Sequence, residues 1–208
     1  MTFPGKRIGA RKDAQGELVF HTGVVGYVET LTSPENAGLM VVQTFPVAGN
    51  YGVTEEDGES DYTPAAFVVR SLCDTPSNFR SEMGLEEFLV KKGIPGLAGV
   101  DTRRLTAVLR AEGTMQAMIV DEVPEKVVFA REKVPFLPGK EAFFPSIGEK
   151  NADVVLWDLG AKRSLVQKLR HRGWDVNVLP MEAKAADILE KNPDGVVLSG
   201  GPGCPEDY

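Results

Sequence analysis

The run Ser199-Gly200-Gly201-Pro202-Gly203 follows directly on the apolar segment 195–198. Three glycines in five residues at the end of an apolar strand leave backbone N–H groups free to converge on a negatively charged atom. That is the chemistry of an anion nest or an oxyanion hole. A plain strand-to-loop turn has the same composition, so both readings stand on this segment alone. A phosphate-binding P-loop is excluded, because Gly203 is followed by Cys204-Pro205 and not by Lys-Ser/Thr. The dinucleotide-binding fingerprint is excluded too, since its glycine spacing is not met.

Side chains suited to nucleophilic catalysis are few. The cysteines are Cys73 and Cys204, and the histidines are His21 and His171. A catalytic thiol needs a neighbouring base or a helix N-terminus to ionise it. Cys204 has no such base close in sequence, and reads as an incidental small residue of the turn. His171 falls on the polar side of a predicted helix between Arg170 and Arg172, and His21 falls in a strand pattern. Asp101, Arg103 and Arg104 form a polar group at a predicted helix start, which capping and ligand binding explain equally well. No carboxylate pair or metal-ligand spacing stands out.

Composition narrows the class of protein. The 208 residues are 42% hydrophobic and 25% charged, an ordinary globular balance, with a formal net charge of −7. That charge argues against a general nucleic-acid or membrane-surface role, both of which need a basic face. No apolar run approaches the ~20 residues of a membrane span, and the N-terminus lacks a signal-peptide core. Two cysteines make neither a disulfide framework nor a zinc site. A cytoplasmic protein is expected.

The elements that must position these residues change character along the chain. Segments 17–31, 39–46 and 65–72 are rich in Val, Thr and aromatics and predict strands. Segments 85–93 and 101–113 predict helices, each ended by a glycine and the second capped by Asp101 or Thr102. Segment 134–152 carries three prolines without clean periodicity, and reads as a linker. Beyond it, 153–160, 175–180 and 195–200 predict apolar strands alternating with helices over 162–173 and 183–192. This order predicts a parallel sheet with right-handed crossovers. Three strands are few for a free-standing domain of that kind, so the sheet is expected to be incomplete.

Five segments in order, 26–52, 76–80, 93–119, 158–173 and 192–208, carry a resemblance. The combination of "GVDTRRLT", "DLGAKRS" and "LSGGPG" resembles the small, glutamine-hydrolysing subunit of carbamoyl phosphate synthetase. The resemblance implies an α/β protein: a mixed N-terminal domain over 1–133 that docks on the large subunit, a linker over 134–152, and over 153–208 the first three strands of a parallel, flavodoxin-like class I glutamine amidotransferase domain. It implies L-glutamine as substrate and the large subunit as partner. No cofactor is expected on this chain, with ATP, magnesium and bicarbonate acting at the large subunit. Gly201 and Gly203 then correspond to the backbone that holds glutamine and stabilises the oxyanion. The family's catalytic cysteine, histidine and glutamate correspond to positions beyond Tyr208, so the 208 residues alone are expected to be inactive. The family usually has a serine that helps hold glutamine where this chain has Glu35. A carboxylate there can accept from the glutamine amino group but repels its carboxylate; Ser33 is on the same loop, out of register. The alternative is a non-catalytic paralogue that keeps the docking domain as a scaffold.

Overall fold

A computed structural model describes residues 1–129, 137 and 139–203. The chain divides into two compact units, Met1–Lys133 and Val134–Tyr208. Cys204, Tyr208 and part of the stretch 134–152 lie outside the described residues.

The first unit holds strands β1 (Lys6–Gly9), β2 (Ala14–His21), β3 (Met40–Gln43), β4 (Val47–Ala48), β5 (Ala66–Val68), β6 (Ser71–Leu72), β7 (Pro95–Ala98) and β8 (Met115–Ile119). Its helices are α1 (Tyr27–Leu31), α2 (Leu85–Lys91) and α3 (Thr102–Glu112). Six strands form one sheet in the order β1-β7-β5-β3-β2-β8, and β4 pairs with β6 separately. The inner strands β7, β5, β3 and β2 run parallel, and the edges β1 and β8 run antiparallel to their neighbours. Strand alternation divides the side chains between two cores. Val41 and Phe67 pack with Tyr27, Val28 and Leu31 of α1 and with Leu85, Phe88 and Leu89 of α2. Met40, Val42, Ala66 and Val68 pack with Leu105 and Leu109 of α3. Each of these leucines contributes roughly 2 kcal/mol by burial. Asp101 caps α3 by accepting from the Arg104 amide at 3.0 Å, and Gly113 ends it at φ 82°.

Segment 27–31, predicted as strand, is the helix α1. Four of its five residues are buried, and such a surround favours a short helix sunk in the core over a strand with one wet face. Tyr27 is held firmly: its ring stacks on Tyr51 at 4.2 Å, and its hydroxyl donates to the Gly52 carbonyl at 2.5 Å. Burial pushes the Tyr27 phenol well above its ordinary pKa.

The second unit holds β9 (Ala142–Phe144), β10 (Ala152–Asp158), β11 (Trp174–Pro180) and β12 (Gly195–Leu198), with helices α4 (Arg163–His171) and α5 (Ala185–Glu190). The order is β12-β10-β11-β9, with β12, β10 and β11 parallel. Leu169 of α4 packs on Val154, Leu156, Val176 and Val178, while Ile188 of α5 packs on Val155 and Leu179 of the opposite face. A helix on each face is what apolar parallel strands require. β9 is a departure from the sequence reading, which placed it inside a linker. Its Ala142 and Phe144 pack into the core beside Val176 and Val178, and it pairs antiparallel with β11. The turn after β9 is tethered by Asp175, which accepts from the Ser146 amide at 2.7 Å and pairs with Lys150 at 3.1 Å. The Ser146 amide first, and then Lys150, hold the Asp175 carboxyl below its ordinary pKa.

Candidate functional site

The carboxyl edge of the β12-β10-β11 sheet is where ligands sit in open α/β folds. Two turns meet there, one leaving β10 and one leaving β12. Asp158, the last residue of β10, turns its carboxylate back to accept from the amides of Gly160 at 2.9 Å and Ala161 at 2.6 Å. This closes a tight loop with Gly160 at φ 123°. Ser199, the first residue after β12, is buried and joins the two turns. Its Oγ accepts from the Leu159 amide at 2.8 Å and donates to the Gly200 carbonyl at 2.8 Å, while its own amide donates to Trp157 at 3.2 Å.

The glycines are then fixed by their neighbours. A Cβ on Gly201 would stand 1.9 Å from the Leu159 carbonyl oxygen, so only glycine fits without moving backbone. Gly203 has φ 79°, a conformation that side chains disfavour. Among the described residues the amides of Gly201 and Gly203 have no hydrogen-bond partner. Unpartnered amides at the carboxyl edge of a parallel sheet are what an oxyanion-binding turn needs. Sequence reasoning found the glycines but missed Asp158, Leu159 and Ser199, which shape the turn around them. The one available signal was the Asp-x-Gly of an Asx-type turn.

Glu35 lies in the first unit, on a 3-10 turn over Pro34–Asn36 directly after α1. The turn is anchored on several sides. Asn36 Nδ2 donates to the Thr30 carbonyl at 2.9 Å, Ser60 Oγ donates to the Thr32 carbonyl at 2.5 Å, and Thr32 Oγ1 accepts from the Glu59 amide at 2.8 Å. Glu35 is exposed at the crest. Ser33 is buried, so it is turned into the protein and does not take the place of Glu35.

The remaining titratable candidates do not assemble a catalytic group. Cys73 is half-buried, and its Sγ donates to the Thr75 carbonyl at 3.3 Å. His171 is exposed in the last turn of α4, and His21 closes β2 in the other unit. Among the described residues no group of three or more His, Cys, Asp or Glu side chains is placed to hold a metal ion. Nor is any helix among them long and apolar enough to cross a membrane.

A parallel sheet with a helix on each face and a glycine turn at its carboxyl edge defines an α/β ligand-binding domain. Comparison with known proteins makes the assignment specific. The family described as "Carbamoyl-phosphate synthase small chain, CPSase domain" matches residues 1–119, and "Glutamine amidotransferase class-I" matches residues 155–208. The chain belongs to the carbamoyl-phosphate synthase small chain family, and its fold is that family's N-terminal domain followed by the start of a class I amidotransferase domain. It is 42% identical over 216 residues to the carbamoyl phosphate synthase small chain of Bacillus caldolyticus, covering 99% of this chain and 58% of the relative. It is 44% identical over 214 residues to that of Archaeoglobus fulgidus, covering 97% and 59%. The small chain of Lactococcus lactis is 41% identical over 216 residues, covering 99% and 60%. The chain thus spans less than two thirds of the length of these relatives.

Proposed function

We propose that this chain supplies the substrate-binding backbone of a glutaminase. The reaction hydrolyses glutamine to glutamate and ammonia, and a large synthetase chain consumes the ammonia in making carbamoyl phosphate. The observation that carries the reading is the Gly201–Gly203 turn, with two amides unpartnered among the described residues at the carboxyl edge of a sheet that matches the amidotransferase family. A thiolate attacking the glutamine amide carbon places negative charge on the amide oxygen. Backbone N–H groups of a turn packed against the Leu159 backbone stabilise that charge with little reorganisation, the largest single term in many acyl transfers. A thioester then forms as ammonia leaves, and water releases glutamate through a second oxyanion at the same place.

Glu35 is the proposed contact of the first unit with the glutamine amino group. The large synthetase chain, a cytoplasmic setting, and ATP, magnesium and bicarbonate at that partner belong to the same reading. Cys73 has no base beside it among the described residues and is not the thiol of this reading, in which the 208 residues alone are expected to hydrolyse no glutamine. The test joins residues 1–208 to the remaining segment of the Bacillus caldolyticus small chain and assays glutamine hydrolysis with and without a large chain. The chimera is expected to be active and the 208-residue chain inactive. A folded chimera that hydrolyses no glutamine overturns the reading. It would favour the second one, a non-catalytic docking scaffold, for which a carboxylate at position 35 in place of the family's usual serine is the motive.

A further inference from the structure

The first unit has its own carboxyl edge. Its four inner strands are parallel, and the chain leaves β2 at Thr22 and β3 at Thr44. Helix α3 lies on the same side of the sheet as Phe20 and Val42. Between these elements is a cavity of about 490 Å³, lined by Thr22, Thr44, Arg103, Thr106, Ala107 and Arg110. That volume is within the range of small-molecule sites, and its place at the ends of parallel strands is where α/β folds bind ligands.

The lining is cationic in a chain whose net charge is −7. Arg103, Thr106, Ala107 and Arg110 recur at the i, i+3, i+4, i+7 spacing of one helix face. The two arginines are two turns apart, roughly 10 Å along the axis, and flank the cavity from either end. Neither has a carboxylate partner among the described residues, although Arg7, Arg80, Lys91, Lys92, Lys150 and Lys191 all do. The Arg110 guanidinium rests 5.3 Å from the centre of the Phe20 ring, which orients it and leaves its N–H edge available. Thr106 stands between the arginines with its residue 7% exposed. Its Oγ1 is buried without a hydrogen-bond partner, an arrangement that costs stability unless a ligand or water completes it. Thr44 contributes less, since its hydroxyl already donates to the His21 carbonyl at 3.1 Å.

We propose that this cavity, between the ends of β2 and β3 and the face of α3, binds a small oxyanion, a phosphate or a dicarboxylate, through Arg103 and Arg110. Arginine is suited to both groups because its planar fork donates two parallel hydrogen bonds. The site is carried by residues of the first unit alone, and stands whether or not glutamine is hydrolysed by the second.

The test titrates the full chain with inorganic phosphate and separately with succinate, at ionic strength held constant by sodium chloride, and follows binding by calorimetry. Saturable binding of at least one anion is expected. Arg103→Gln and Arg110→Gln, both at exposed positions, should each weaken it by about tenfold. Arg104→Gln, whose guanidinium lies over Phe3 instead, should leave it unchanged. Binding of phosphate alone assigns a phosphoryl ligand, and binding of succinate alone a dicarboxylate. No saturable binding of either anion, or equal binding in the wild type and both glutamine variants, overturns the proposal. Affinity of this face for an acidic segment of a partner chain, with neither small anion bound, overturns it as well.

Discussion

The Leu159 carbonyl oxygen occupies the space that a side chain at Gly201 would need, 1.9 Å from the position of its Cβ. The turn after β10 and the turn after β12 are therefore pressed together through backbone. Ser199 Oγ, 2.8 Å from the Leu159 amide, closes the same contact from the other side. Leu159 thus offers its amide to Ser199 and its carbonyl to the surface of Gly201, so the two turns keep a fixed relation.

Gly201→Ala should consequently damage the second unit more than Gly203→Ala. The first must displace backbone, at a cost of about 1–3 kcal/mol, the usual range for overpacking. The second only places a Cβ at φ 79° in an exposed position, at about 1–2 kcal/mol. Urea unfolding of the two variants ranks them. An alanine at 201 as stable as the wild type would show that the turns are not in contact.

Asp158 is expected to matter through its carboxylate and not through its charge at long range. It accepts from two amides, those of Gly160 and Ala161. Asp158→Ala should cost about 1–3 kcal/mol, and Asp158→Asn less, because the amide oxygen still accepts. Amide hydrogen exchange should rise at 160 and 161 in the alanine variant before it rises in β10. Uniform exchange across the unit in that variant would count against a local cap.

Tyr27 sets an alkaline limit on the first unit. Its phenol is buried and raised above its ordinary pKa, by burial first and by Tyr51 next, and Tyr51 is raised by burial as well. A raised phenol favours the folded state as long as it stays protonated. The stabilisation is fully present below the unfolded value of about 10, and is lost as pH rises beyond it. Spectroscopic titration should show two of the four tyrosines ionising late and together with unfolding. Tyr27→Phe should shift the alkaline midpoint upward while lowering stability at neutral pH, since the Gly52 carbonyl loses its donor. Smooth ionisation of all tyrosines near pH 10 in the folded protein would refute this.

How much of this was legible in the sequence depends on how local the cause is. Helix α3 announced itself because its cap Asp101, its apolar spacing and its terminal Gly113 all lie within 13 residues. The alternation of β10, α4, β11, α5 and β12 was legible for the same reason, each apolar run being punctuated by glycine or proline. Helix α1 was not, because Tyr27, Val28 and Thr30 favour strand locally, and only the packing of Tyr27 against Tyr51, 24 residues on, decides otherwise. Strand β9 was hidden by the prolines around it, since its partner β11 lies about 30 residues away. At the turn, the glycines were visible and their cause was not. Leu159 is 42 residues from Gly201, and a carbonyl leaves no mark in a sequence.

Glu35 offers the sharpest test of the proposed substrate site. The residue is exposed on a turn whose neighbours Thr32 and Asn36 are tied down by hydrogen bonds, so Glu35→Ser should change stability by less than about 0.5 kcal/mol. Its effect on function follows from charge. A carboxylate beside bound glutamine attracts the amino group and repels the α-carboxylate, and neither of those groups changes as the side-chain amide reacts. The interaction is equal in ground and transition states, and such uniform binding alters KM and leaves kcat alone. In the chimera with the Bacillus caldolyticus segment, Glu35→Ser should lower the KM for glutamine by about tenfold, the consequence of an α-carboxylate repulsion that exceeds the amino-group attraction by roughly 1.4 kcal/mol. Glu35→Gln should fall between the two. A kcat that moves with KM would mean that position 35 acts on the geometry of the reacting amide. No change in either would mean that glutamine does not reach the first unit at all, and the amides of Gly201 and Gly203 would then hold it without Glu35.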